Sequence, residues 1–528
     1  MDVYAQYISL LILFGFPTTS QTFKILMYPH NSKSHIMSVS SIGDALTEKG
    51  HNVDMLVASN SDFQSNTNSN VRIIPYPVTL ATPSERTDTI VKMQHDLAKV
   101  VDKGFFEYIY VAKEGYETCM QHVKLECAEL LGNTDLFETL KQNQYDLVIL
   151  DPFESVCSVA VPYKLNVPIV VTAIVPIVYW YYRVPVLPSV IPTIGTTTSN
   201  PMTFSERLMN LMARCFVEFN AAYMALDTYY IVTYVPERDR KTPLSILQDA
   251  LLWMNMQESL LYEPVPAMSN TLDIGDLFIT ESKALSVEYK DILNQPDKNV
   301  IYMAMGTAYD NLPSNVILKF CDAFRHLNKN ITVLWSIKTT PQKCQLPESV
   351  MVKQWMPQND ILGHSNLNLF ITHCGTKSFM ESAYHGVPMI CFPIGVDHIR
   401  NAVSLEHKGL GERLNLMTFT PKDLTHTIYS LLHNDSVKAN VRRMSKLLHS
   451  KPVPAKDKVV YWIEHVIQNG GEHLRSSGHV LSLVEFLMVD GMSVCLCLLM
   501  TCIAVVAGLC RCVCRFLRRP SKRKYKHE

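Results

Sequence analysis

Residues 355–401, WMPQNDILGHSNLNLFITHCGTKSFMESAYHGVPMICFPIGVDHIRN, limit the possible fold more than any other stretch of the chain. They hold two strand–turn–helix units in succession, each with polar residues at the strand's carboxyl end. An apolar run over 367–372 ends in His373-Cys374-Gly375-Thr376. A helix is predicted from about Lys377 to Gly386, a glycine suited to the position just past a helix end. After Pro388 come a second apolar run over 389–392, a polar turn with Asp397-His398, and a helix closing near Gly409. Consecutive units of this kind build a parallel sheet, and ligands of such sheets sit beyond the carboxyl ends of the strands. A glycine-containing turn that opens a helix offers free backbone N–H groups and a positive dipole end, which suits a phosphate.

The chain of 528 residues is long enough for two substantial domains. A formal charge of −1 gives no reason to expect nucleic acid as a partner. Cys495, Cys497, Cys502, Cys510, Cys512 and Cys514 crowd the carboxyl terminus, and the other cysteines form no C-x-x-C pair, so no metal site is expected. No disulfide pairing follows from their spacing. Residues 7–16, YISLLILFGF, suit a signal-peptide core, with cleavage after Ser20, although the preceding residues lack a positive charge. Residues 492–509 are apolar and free of charge, with Asp490 before them and Arg511, Arg515, Arg518 and Arg519 after. This asymmetry predicts one transmembrane helix over 491–510, a lumenal body and a cytosolic basic tail over 511–528. Lys524 and Lys526 in that tail resemble a di-lysine retrieval signal for the endoplasmic reticulum.

The amino-terminal half opens with a strand over 23–28, a helix over 36–49 and a strand over 53–58. This βαβ unit lacks G-x-G-x-x-G, which argues against a nicotinamide or flavin site. His35 stands at the carboxyl end of the first strand. Another apolar run, YDLVIL over 145–150, ends in Asp151-Pro152, which puts Asp151 on the same side of the sheet. Either residue alone reads as a solvated or turn residue. Residues 263–277 read as a join, and a strand over 300–305 then ends in Gly306-Thr307.

Taken together, W-x-P-Q-x-D-x-L-x-H, F-I-T-H-C-G-T, E-x-x-x-H-G-V-P and an Asp-His followed by Asn-Ala resemble the signature of the UDP-glycosyltransferases, in particular the membrane-bound UDP-glucuronosyltransferase family. S-H-x-x-S followed by L-x-x-K-G-H-x-V, over 34–53, is similar to that family's opening. The resemblance implies an α/β fold of the GT-B kind with two Rossmann-like lobes. An acceptor lobe is expected over 21–270, a linker over 271–295, a donor lobe over 296–450 and returning helices over 451–490.

The resemblance also implies roles. His35 takes the place of a catalytic base, and Asp151 that of the carboxylate that orients it and stabilises the imidazolium formed when a hydroxyl is deprotonated. Gly306 and Thr307 would approach a phosphate, Trp355 would stack on uracil, and Gln358 would bond the uridine. His373, with Gly375 and Thr376, would face the diphosphate, Glu381 the ribose, and Asp397 and His398 the hexose. The UDP-sugar is the donor substrate; no further cofactor and no metal are implied, and the sequence has no D-x-D motif. The acceptor would be small and lipophilic, and homo- or hetero-oligomers stay open.

Three departures stand out. Lys377 replaces a common Asn and could face either the diphosphate or solvent. His398 replaces the Gln of most glucuronosyl and glucosyl members, and is shared with ceramide and some plant galactosyltransferases. Val265 replaces the Arg of a P-R-P pattern, where a charge-assisted pair to glucuronate would be worth about 1.5–3 kcal/mol. Together the second and third lean towards a neutral hexose. Rival readings are a dedicated lipid galactosyltransferase and a non-catalytic membrane-anchored GT-B binding protein. A P-loop phosphotransferase, suggested by Gly375-Thr376-Lys377-Ser378, fails on spacing.

Overall fold

The computed structural model describes residues 21–517 except 62, 64–68, 80–91, 94–95, 98, 101–102, 153–155, 174–183, 185, 194–195, 199–200, 226, 296, 307–311 and 339. The expected signal segment, Thr307, Arg518, Arg519 and the tail lysines lie outside the described residues.

Two all-parallel sheets carry residues 21–474. The first contains β1 (Lys24–Tyr28), β2 (Asn52–Ala58), β3 (Arg72–Tyr76), β4 (Leu147–Leu150), β5 (Ile169–Ala173), β6 (Leu252–Asn255) and β7 (Thr271–Asp273), in the order β3-β2-β1-β4-β5-β6-β7. The second contains β8 (Asn299–Ala304), β9 (Ile331–Ser336), β10 (Val350–Lys353), β11 (Leu367–Thr372), β12 (Met389–Cys391) and β13 (Gly411–Arg413), in the order β10-β9-β8-β11-β12-β13. Each sheet starts in its own interior and winds outward both ways. The central strands are apolar throughout, such as LVIL in β4, because helices cover both faces and leave no side to water.

Seven helices matter below: α1 (Lys33–Glu48), α2 (Phe105–Gly132), α3 (Gln358–Leu362), α4 (Thr376–His385), α5 (Val396–His407), α6 (Ala455–Asn469) and α7 (Val489–Leu517). In α1, Ile36, Val39, Ile42 and Leu46 recur at helical spacing and bury one stripe against the sheet. α6 comes after the whole second sheet yet packs on α1 of the first. There His51 Nε2 lies 3.0 Å from a Glu464 oxygen, and Lys456 pairs with Glu48. The returning chain thus ties the two lobes together.

One boundary differs from the sequence expectation. The linker was placed over 271–295, but Thr271, Leu272 and Asp273 pair with Trp253, Met254 and Asn255 as a seventh strand. This strand is too short to carry an alternation of its own, and it follows a proline-rich stretch.

Two disulfides, Cys321–Cys344 and Cys374–Cys391, lie in the second lobe, and the latter joins the turn after β11 to β12. Residues 475–528 form a separate unit. Its helix α7 has 29 residues, none of them buried, and is long and apolar enough to cross a membrane. At 1.5 Å per residue it exceeds the roughly 30 Å of a hydrocarbon core. It runs past the expected 491–510 and takes in Arg511 and Arg515.

Candidate active site

Both sheets reverse their winding between two adjacent strands, β1 and β4 in the first and β8 and β11 in the second. Crevices at such switch points are where open α/β sheets hold ligands. His35 lies in the first turn of α1, just beyond β1, and Asp151 directly follows β4. His35 Nδ1 and Asp151 Oδ2 are 2.6 Å apart, and both residues are buried. The Asp151 backbone N–H donates to the Tyr28 carbonyl at 3.1 Å, so the sheet itself fixes where this carboxylate stands. A carboxylate at that distance holds the ring proton on Nδ1, which makes Nε2, across the ring, the basic nitrogen. His30 packs edge-on against His35, with ring centroids 5.0 Å apart.

On the donor side the turn after β11 meets the end of β8. Gly306 has a φ of +79°, and a Cβ there would lie 2.5 Å from His373 Cε1. A Cβ on Gly375 would lie 2.5 Å from His373 Nε2. The imidazole is therefore wedged between two backbone segments that only glycine lets come so close. Asn401 on α5 supports the turn: its Nδ2 donates to the Cys374 carbonyl at 2.8 Å and to Thr376 Oγ1 at 3.2 Å. Its Oδ1 accepts from the Tyr262 hydroxyl at 2.7 Å. The sequence pattern contains Asn401 but assigned it no role, and it missed Tyr262, whose partner is 139 residues away.

Asp397 and His398 open α5. His398 Nδ1 accepts from the Gly395 N–H at 2.9 Å, which places the ring proton on Nε2, 3.6 Å from Asp397 Oδ1. Asp397 Oδ2 accepts from the Thr376 backbone N–H at 3.1 Å and from its hydroxyl at 3.0 Å. The N–H that the resemblance offers to a diphosphate is thus held by a carboxylate in this structure, and an arriving phosphate has to share or replace it.

Residues expected on the nucleoside side also come together. Gln358, at the start of α3, donates to Glu381 Oε2 at 2.7 Å and to Ser378 Oγ at 3.1 Å. Lys377 had two expected directions, diphosphate or solvent; its half-exposed ammonium lies 3.8 Å from Glu381 Oε1, one helical turn on. Trp355 is 74% exposed, an apolar plane left in water. Val265 is partly buried and packs against the core of the first lobe.

Burial decides the protonation of this side. His373 is pushed down to about 3 by burial and then by neighbouring His398, with Asp397 pulling the other way. His398 is lowered by burial, partly offset by Asp397. Burial also works against the Asp397 charge, but His398 and the two Thr376 bonds outweigh it and hold the carboxyl below its usual range. Glu381 is raised by burial against the opposing pull of Lys377 and Gln358. The ring centroids of His373 and His398 lie 4.6 Å apart, edge to face, so two neutral imidazoles stand beside one carboxylate.

Two doubly wound sheets, a His–Asp pair on one and a glycine-lined turn opening a helix on the other, define a GT-B glycosyltransferase. Solved structures of similar fold include a UDP-glucosyltransferase from Polygonum tinctorium capable of glucosylating indoxyl, with a TM-score of 0.59 and 15% identity over 86% of this chain and 100% of that one. UGT71G1 of Medicago truncatula, complexed with UDP-glucose, gives a TM-score of 0.57 and 15% identity over 85% of this chain and 99% of that one. Residues 23–524 match the family described as UDP-glucoronosyl and UDP-glucosyl transferase, and the chain belongs to this family. UDP-glucuronosyltransferase 1A8 of Rattus norvegicus is 28% identical over 94% of this chain and 92% of its own length. UDP-glucuronosyltransferase 1A10 of Homo sapiens is 26% identical over 95% and 93% respectively. The chain is a UDP-glycosyltransferase enzyme.

Proposed function

We propose that the protein transfers a neutral hexosyl group, glucose or galactose, from a UDP-sugar to a hydroxyl of a small lipophilic acceptor, with inversion at the anomeric carbon. The observation that carries this reading is the 2.6 Å pair of His35 and Asp151. His35 Nε2 takes the acceptor's hydroxyl proton while the oxygen attacks the anomeric carbon from the face opposite UDP. The bond from that carbon to the diphosphate oxygen breaks, and its electron pair leaves with UDP. Asp151 stabilises the imidazolium as it forms. The amino end of α4 and the neutral His373 supply hydrogen bonds and dipole to the departing diphosphate. Trp355 stacks on the uracil, Gln358 bonds the uridine, and Glu381 accepts from the ribose hydroxyls. This chemistry asks for no resident cofactor.

The neutral sugar is supported by His398, by the apolar Val265 and by Lys377, whose charge is already answered by Glu381. The body is placed in the lumen of the endoplasmic reticulum and the tail in the cytosol, a reading supported by α7 and by the basic residues that follow it.

The test is a donor panel of UDP-glucose, UDP-galactose, UDP-N-acetylglucosamine and UDP-glucuronate with one phenolic acceptor, on microsomes containing the full chain. Higher kcat/KM with UDP-glucose or UDP-galactose is expected. A clear preference for UDP-glucuronate overturns the sugar assignment while leaving the family intact.

A further inference from the structure

Tyr108 and Ile399 belong to different lobes yet share one small buried cluster with Leu97 and Val100. Tyr108 stands in the first turn of α2, on the long connection between β3 and β4. Ile399 lies on α5, two residues beyond Asp397. Tyr108 is 2% exposed and Ile399 is fully buried. A buried phenol normally finds a partner, because one left bare has given up its bonds to water without replacement. Three other buried tyrosines follow that rule: Tyr262 donates to Asn401, Tyr76 to Glu126 and Tyr145 to Asp54. The Tyr108 hydroxyl has no hydrogen-bond partner among the described residues. Burial, and after it the negative charge of Asp397, holds this phenol well above its ordinary range, so it remains a neutral O–H. An unpartnered buried donor calls for a reason, and this one shares a cluster with the start of α5, beside the carboxylate assigned above to the sugar.

We infer that Tyr108 is a specificity-determining residue of the hexose site, its hydroxyl donating a hydrogen bond to the sugar of a bound UDP-hexose beside Asp397. A sugar hydroxyl both donates and accepts; a carboxylate takes its proton end and a phenol O–H fills its lone pair. The donor lobe supplies the first and the acceptor lobe the second, so the sugar subsite is complete only with both lobes present. The inference rests on the proposed hexosyl transfer and names a further residue of its site.

The experiment compares wild type with Tyr108→Phe in the full-length chain, which keeps the ring packed on Ile399 and removes only the oxygen. Calorimetric Kd is measured for UDP and for the preferred UDP-hexose, alongside kcat/KM and Tm. The expected result is an unchanged Kd for UDP, roughly tenfold or greater loss in UDP-hexose affinity and kcat/KM, and a Tm that is unchanged or higher. A purely structural tyrosine would not separate UDP from UDP-hexose. Equal Kd values for the hexose in both proteins, or equal weakening of UDP and UDP-hexose, overturns the inference. As a second measurement on wild type, UDP-deoxyhexoses lacking one hydroxyl at a time are expected to include one that loses as much as Tyr108→Phe does; uniform affinity across the series also overturns it. Wild type that binds UDP-hexose but transfers none refutes the proposed function, and the binding comparison still decides the role of Tyr108.

Discussion

Each lobe puts histidine and aspartate beyond the carboxyl ends of its parallel strands, and the two lobes use them in opposite ways. In the acceptor lobe the Asp151 carboxylate is bonded to the imidazole itself, at 2.6 Å. In the donor lobe Asp397 is bonded to the Thr376 N–H and hydroxyl, and His398 Nε2 lies 3.6 Å from it. The first arrangement fixes the ring's orientation and its tautomer. The second leaves His373 and His398 neutral under burial. The two sides therefore differ in where the neighbouring carboxylate directs its lone pairs, with the residue types unchanged.

The largest effect expected from breaking this contrast is on the acceptor side. His35→Ala removes the proposed base and should lower kcat by about 10²–10⁴-fold, with the Kd of UDP unchanged, measured by turnover and calorimetry on the same preparation. Near-normal turnover in this variant would mean that the two lobes do not differ in proton chemistry at all.

A smaller and opposite effect is expected at Trp355. Base–aromatic stacking is worth about 1–3 kcal/mol, so Trp355→Ala should weaken UDP binding by roughly 5–150-fold. At 74% exposure the indole contributes little to the core, so Tm should stay put. kcat at saturating donor should also hold, because His35 is untouched. A loss of kcat with unchanged UDP affinity would assign Trp355 to the acceptor side and blur the division of labour.

How much of this contrast was legible in the chain depends on the range of the interactions. The strand–turn–helix units around His373 and Asp397 are local, and their apolar runs and glycines announced them directly. His35 and Asp151 are 116 residues apart; the topology placed both on one side of a parallel sheet, and the family resemblance implied their pairing. Asn401 and Tyr262, Tyr108 and Ile399, and the two disulfides are contacts between elements whose partners no local pattern specifies. Lys377 shows the same limit at short range: the helix brings Glu381 within reach one turn later, yet the sequence reading considered only phosphate and solvent. β7 was lost to brevity, since three residues beside prolines carry no period.

The smallest effect tests the donor side's neutrality through stability. His373 sits at about 3 in the folded protein against an ordinary 6.5. Between these values the unfolded chain binds a proton that the folded chain refuses, so stability falls as pH drops below 6.5 and keeps falling towards 3. Above 6.5 the term vanishes. His373→Gln removes it, and the loss of stability between pH 7 and pH 5 should be smaller than in wild type, by at most about 1.4 kcal/mol per pH unit. His364 and His385, lowered by their own burial, change stability with the same sign but are present in both proteins and drop out of the difference. Glu381, raised by burial, acts with the opposite sign and drops out too. His398, lowered by burial and partly offset by Asp397, stays in both proteins. Urea unfolding at pH 5, 6 and 7 measures the slopes. Parallel slopes for the two proteins would mean that His373 takes up its proton near the ordinary value, and burial would then not be what keeps the donor lobe's histidine neutral.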